Sequence, residues 1–273
     1  MLKILLARVR QGHRTIQYPD GPSPEMPDRF RGRPSIKTDP CPDGCRACVD
    51  ACPTAAITVA DKVRIDLGKC LFCTDCQNAC SEKAIAYTTD YQLAVRNRQS
   101  LVIEQGQQEE EANLSAVLDA KLKKLFGRSL KLRQVSAGGC GACEADVNVL
   151  GTIGWDLGRF GIQMVASPRH ADGLLITGPV TRNMELALQK TYAAVPEPKI
   201  VIAVGACAIS GGPYIDHEQV RNGADKVVPV DLYIPGCPPN PLTILDGLLR
   251  LIGRIEDGRR GTTGSSGMRK LAV

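Results

Sequence analysis

Eight cysteines in two tight groups constrain this chain more than any other feature. Cys41, Cys45, Cys48 and Cys52 run up to Pro53, and Cys70, Cys73, Cys76 and Cys80 run up to Ser81. A short apolar segment follows each group at the same distance, residues 56–59 and 84–87. Residues 34–91 therefore read as an internal duplication. A tight loop of cysteines can wrap three corners of a [4Fe–4S] cubane, while the fourth ligand must come from farther along the chain. Zinc is the alternative, because cysteine pairs two residues apart also bind it tetrahedrally. Four cysteines within about a dozen residues, twice over, suit cubanes better than zinc ribbons.

Four further cysteines, Cys140, Cys143, Cys207 and Cys237, bring the total to 12. The opening stretch is too short and too soon interrupted by charge for a signal-peptide core. No apolar run approaches the length that spans a bilayer. The expectation is a cytoplasmic protein, in whose reducing surroundings cysteines serve metal rather than disulfides. The formal charge of +5 counts those cysteines as neutral. Twelve thiolates around three cationic cluster cores would bring the loaded chain near neutrality. Lys and Arg are also spread out rather than gathered beside stacking aromatics, so nucleic acid is not an expected partner.

At 273 residues the chain suits two modest domains. Residues 1–31 are expected to form a helix over 2–10 and then an extended, proline-containing arm lying along the 32–92 unit or a partner. Residues 93–129 are expected to be a linker with an amphipathic helix, apolar at Leu114, Val117, Leu118, Leu122, Leu125 and Phe126. Over 130–254 apolar runs alternate with helical segments. Strands are expected at 130–135, 162–166, 173–177, 199–204 and 226–229, and helices at 145–151, 182–193 and 241–252. Buried strands interleaved with helices imply a mostly parallel sheet covered on both faces. The polar, glycine-rich tail 255–273 is expected to be flexible.

Each of the four later cysteines follows an expected strand, or in the case of Cys143 a cysteine that does. That puts them at the strand C-terminal edge, where doubly wound sheets gather their sites. Glycines beside them let the backbone approach a cluster and donate N–H bonds to its sulfurs. A nucleotide phosphate loop at Gly138, Gly139 and Gly141 is excluded, because no Lys-Ser/Thr follows and the glycine spacing is wrong. No nucleophile–base constellation stands out.

Residues 1–92 resemble the two-cluster ferredoxin subunit of formate-hydrogenlyase-like complexes, including the run from Phe30 to Pro34. In two-cluster ferredoxins each motif lends its last cysteine to the other cluster. The resemblance thus assigns Cys41, Cys45, Cys48 and Cys80 to one cluster and Cys52, Cys70, Cys73 and Cys76 to the other. Two departures stand out: three residues rather than two separate Cys41 from Cys45, and Ser81 replaces the usual proline.

Residues 130–252 resemble the small, cluster-bearing subunit of energy-converting [NiFe] hydrogenases and its relative, the 20 kDa subunit of complex I. The resemblance rests on segments 126–130, 139–144, 166–172, 177–181, 196–199, 205–208 and 235–239. It implies an α/β parallel-sheet (flavodoxin-like) cluster domain after an α+β two-[4Fe–4S] ferredoxin-like domain. It also implies three [4Fe–4S] clusters in all, the third held by Cys140, Cys143, Cys207 and Cys237. The expected role is an electron-transfer subunit without a complete active site. Its expected partners are a Ni–Fe large subunit, membrane-embedded subunits and an electron donor or acceptor protein, on the inner face of the cell membrane. A complex I-type quinone reductase subunit is the alternative, and a zinc-binding assembly module a third reading. The Cys140–Cys143 spacing favours the hydrogenase side, since complex I subunits begin this site with adjacent cysteines. Glu144, Arg169 and His170 are candidates for cluster tuning or a subunit interface. Trp155 reads as core or interface anchor, and His13 and His217 as surface residues.

Overall fold

The computed structural model describes residues 2–12, 14–37, 41–42, 44–106 and 129–255. The expected helix around 114–126, the tail beyond 255 and His13 lie outside them. Helix α1 (Leu2–Gln11) comes first, with Leu2, Leu5, Leu6 and Val9 exposed along one stripe. The arm after it packs on both units. Ile16, Tyr18, Met26 and Phe30 join the core of the C-terminal unit, while the Tyr18 ring meets Tyr91 edge-on at 5.9 Å between centroids and the Tyr91 hydroxyl donates to Ser23 Oγ at 3.2 Å. The reason is polar as well as apolar. Asp246 and Arg250 are each 1% exposed and ion-paired at 2.9 Å, and the Tyr18 hydroxyl donates to Asp246 at 2.5 Å.

The duplicated unit holds β1 (Pro34–Ile36), α2 (Ala47–Asp50), β2 (Ile57–Val59), β3 (Val63–Asp66), α3 (Asp75–Ala79), β4 (Ile85–Tyr87) and β5 (Val102–Glu104). Strands β1 and β4 pair antiparallel, and β2-β3-β5 form a second antiparallel sheet. Strands of three or four residues carry too little periodicity to read from sequence, which is why β1, β3 and β5 were not expected.

The C-terminal unit holds β6 (Leu130–Ser136), α4 (Ala142–Val149), β7 (Ile162–Met164), β8 (Gly173–Thr177), α5 (Arg182–Ala194), β9 (Ile200–Val204), α6 (Ala206–Ser210), β10 (Leu232–Ile234) and α7 (Pro241–Leu251). One parallel sheet runs β10-β9-β8-β6-β7. Every residue of β8 and β9 is buried, as central strands covered on both faces require. The last strand is not 226–229, where a 3-10 turn precedes Pro229, a residue with no N–H to give a ladder. It is β10, whose three residues are buried and pair with β9. Helix α7 begins on an Asn240 cap that accepts from Leu242 N–H at 2.9 Å, with Pro241 in its first turn.

Residues 93–106, expected to open a linker, are built into both units. Leu93, Ala94 and Val95 are buried, and Val95 exchanges backbone hydrogen bonds with Tyr233 on edge strand β10 at 3.0 and 2.8 Å. A few residues on, β5 joins the sheet of the duplicated unit. One apolar core accordingly runs from Ile57, Ile65 and Ile103 into Val135, Ile176 and Ala203 on one face of the parallel sheet. The other face packs Leu175, Ile202 and Val204 against α7.

Candidate metal centres

The duplication persists atom by atom. Ala56 N–H points at Cys52 Sγ at 3.2 Å, and Ala84 N–H points at Cys80 Sγ at 3.3 Å. The residues before them, Ala55 and Lys83, share a left-handed φ of 49° and 48°. The residues before each second cysteine, Gly44 and Phe72, are left-handed too. Helices α2 and α3 pack against each other and carry the buried Cys48 and Cys76. The turn into Cys45 is thus kept despite the extra residue between Cys41 and Cys45.

Electrostatic proximity sorts the eight thiols into two groups. Cys41 feels Cys45 and Cys80, and Cys48 feels Cys41 and Cys80. Cys70 feels Cys76 and Cys52, Cys73 feels Cys76, and Cys76 feels Cys52. Cys52, Cys70, Cys73 and Cys76 also line one small cavity with Tyr87. All twelve cysteines are free thiols. Among the described residues no group of three or more His, Cys, Asp or Glu side chains is placed to hold a metal ion. A cubane instead meets its thiolates at four separated corners.

The third group assembles from three loops of the parallel sheet. Cys140 lies in the turn after β6 and Cys143 in the first turn of α4. Cys207 opens α6 after β9, and Cys237 follows β10. Cys143 feels Cys207, Cys237 and Cys140. Burial first, and then its neighbours, push Cys207 up to about 12 and Cys143 higher still. Burial likewise lifts Cys70 to about 11. Thiols so crowded and buried cannot ionise together without positive charge among them, which is what an iron–sulfur core supplies. The backbone makes room for one. A Cβ on Gly205, at φ +90°, would lie 2.6 Å from Cys143 Sγ, and one on Gly212 would lie 2.8 Å from Cys207 Sγ. The donor sets, the cavity and these cradles fit cubanes.

Glu144 lies close enough to Cys143 and Cys207 to raise both thiols. Its carboxylate accepts from Ser136 Oγ at 2.5 Å and Thr177 Oγ1 at 2.7 Å. Burial would raise its pKa, but these donors outweigh burial and hold it below the usual carboxylate value. Arg169 and His170 are exposed on the 3-10 turn Pro168–His170, on the segment from β7 back to the start of β8. Trp155 packs against the core, and exposed His217 caps its own loop by accepting from Gln219 N–H.

A seam joins the second group to the third. Cys237 feels Cys73 across it. Ser210 Oγ, in the same helix as Cys207, donates to Gly68 O at 2.9 Å, two residues before Cys70. Arg98 holds Asp66 with two hydrogen bonds at 2.8 and 2.7 Å. Arg31 donates to the carbonyls of Phe72 and Cys73 at 3.0 and 3.4 Å, fixing the loop that carries Cys73. Sequence reading missed Ser210, Arg98 and Tyr87. Only the Phe30–Pro34 resemblance hinted at Arg31.

The family described as NADH ubiquinone oxidoreductase, 20 Kd subunit, matches residues 140–251, the span of the third cysteine group. A 4Fe-4S dicluster domain matches residues 41–84, the span of the other eight cysteines. The chain is 40% identical over 142 residues to a Pyrococcus furiosus protein named probable membrane-bound hydrogenase subunit mbhJ, covering 52% of this chain and 85% of that one. The chain belongs to the complex I 20 kDa-subunit family. Within that family, formate hydrogenlyase subunit 7 of Escherichia coli is 45% identical over 141 residues, 52% of this chain. The match spans 55% of the Escherichia coli protein's own length. An NADH-quinone oxidoreductase subunit of Heliobacterium modesticaldum is 44% identical over 120 residues, 44% of this chain and 69% of that one. The resemblance read from the motifs to hydrogenase and complex I subunits therefore holds, with a dicluster domain in the same chain as the 20 kDa-family domain.

Proposed function

We propose that this chain is the electron-transfer subunit of a multi-subunit hydrogenase complex. It would carry three [4Fe–4S] clusters, held by Cys41, Cys45, Cys48 and Cys80, by Cys52, Cys70, Cys73 and Cys76, and by Cys140, Cys143, Cys207 and Cys237. Each cluster supplies a one-electron couple, with a potential set by charge, burial and hydrogen bonds within about −700 to +450 mV. The chain's own part is to hold the thiolates, aim backbone N–H groups at Cys52, Cys70 and Cys80, and keep water from the buried sulfurs. The observation that supports the reading is the seam, across which Cys237 of the third group feels Cys73 of the second, so that the three groups would form a continuous path. The order is then first group, second group, third group.

The strand order β7-β6-β8-β9-β10, or 2-1-3-4-5 within its own unit, supports a flavodoxin-like cluster domain. The paired repeats support a ferredoxin-like one. Two exposed cysteines, Cys140 and Cys237, support a third site at the surface, where a Ni–Fe large subunit would take or give electrons. Exposed Arg169 and His170 suit a subunit interface better than cluster tuning. The hydrogenase relative is named membrane-bound. Among the described residues no helix is long and apolar enough to cross a membrane. The exposed stripe of α1 supports contact with membrane-embedded subunits, at the cytoplasmic face. The first group would face the electron donor or acceptor protein.

The similarity to an NADH-quinone oxidoreductase subunit supports a second reading, a complex I-type role. The large subunit decides between them. In the complex purified with its large subunit, hydrogen-dependent dye reduction and nickel are expected. Quinone reduction without nickel would replace the hydrogenase reading with the second.

A further inference from the structure

The two repeats agree closely in backbone and differ at one chemically telling place. Seven residues after Cys52 stands Val59, and seven after Cys80 stands Tyr87, each ending its strand. Val59 packs on the core and offers no donor. The Tyr87 hydroxyl lies 3.7 Å from Cys70 Sγ and 3.7 Å from Cys76 Sγ. Its ring rests against Phe72, with centroids 6.1 Å apart, which fixes where the hydroxyl points. The nearby Thr54 hydroxyl is 3.9 Å from Cys52 Sγ, but it donates to Lys69 O at 2.8 Å. Tyr87 is therefore a side-chain donor aimed at this cage, and once the sulfurs are thiolates they can only accept the phenol's hydrogen bond.

We infer that the Tyr87 hydroxyl raises the reduction potential of the group held by Cys52, Cys70, Cys73 and Cys76, a device the first repeat lacks. One added electron spreads negative charge over the ligand sulfurs, so a donor aimed at two of four stabilises the reduced form more than the oxidised one. Burial acts the other way. Cys70 and Cys76 are only 7% and 6% exposed, and low dielectric disfavours added charge. The hydroxyl offsets that penalty at the site that adjoins Cys237 across the seam. A buried middle relay thus stays reducible by the more exposed first group, whose Cys41 and Cys45 are half-buried.

The inference rests on the cluster reading, and the test separates the two. Tyr87→Phe keeps the ring and its packing on Phe72. The full chain, wild type and variant, is loaded with iron and sulfide under anaerobic conditions, and the clusters are titrated by EPR. The expected result is unchanged iron content, with one of the two ferredoxin-type midpoints moved to more negative potential and the other two clusters unmoved. ENDOR in deuterated water should show an exchangeable coupling on that cluster that the variant loses. Full iron with no midpoint shift overturns the tuning role alone, as does an equal shift of all three clusters. A wild-type chain that takes up no iron overturns the cluster reading itself. If Tyr87→Phe loses its cluster, Val59→Tyr tests the same chemistry in the other repeat. A positive shift confined to the first cluster then supports the inference, and no shift overturns it.

Discussion

Single atoms decide whether the third site can exist. Gly205 sits at φ +90° with Cys143 Sγ where its Cβ would be, so alanine meets both backbone strain and a collision with a ligand sulfur. Gly205→Ala is expected to lose about a third of the chain's iron while the two ferredoxin-type EPR signals persist. Retention of all three signals would show that the cradle is not needed. Cysteine and glycine positions were legible in the sequence because spacing alone makes them improbable as structure. Tyr87, Ser210 and Arg31 were not, because a lone polar side chain acquires its meaning from what folding brings beside it. Tyr87 lies 17 positions from Cys70, and Ser210 lies 142 from Gly68.

Short elements hold the seam. Segment 93–106 pairs with β10 at one end and supplies β5 at the other, and Arg98 within it holds Asp66 just ahead of Gly68. That pair is about four-fifths buried and doubly bonded, so Arg98→Met is expected to cost about 1–3 kcal/mol. Denaturant unfolding of the loaded protein measures it, and an unchanged midpoint would show that the seam does not depend on the pair. Ser210→Ala removes one bond across the same seam, with an expected cost of about 1 kcal/mol. The five apolar residues of β9 and the buried run of β8 announced themselves from sequence, since both faces are covered. Strand β10 did not, because the apolar pair Val227 and Val228 precedes it and competes for the same reading.

At the scale of the whole molecule, the two units are one body with a shared apolar core and a strap. The arm carrying Tyr18 crosses to the C-terminal unit, where its hydroxyl serves the buried Asp246–Arg250 pair and its carbonyl accepts from Arg159 at 2.7 Å. Tyr18→Phe removes one donor from a buried carboxylate, an expected loss of about 1–3 kcal/mol, and should make residues 19–31 more open to proteolysis. Unchanged proteolysis would show that apolar packing alone holds the arm. The sequence pointed to two units and a parallel sheet, because strand and helix periods differ. It could not show where the arm would lie, since proline-rich stretches carry no face.

The central claim is that three clusters form one path, with the second beside the third. Iron and acid-labile sulfide analysis of the anaerobically purified full chain, with EPR of its reduced form, tests it most directly. The expected result is about four irons and four sulfides for each of three sites, with one reduced signal magnetically broadened by both of the others. Near-zero iron with bound zinc, or three signals with no mutual broadening, would contradict it.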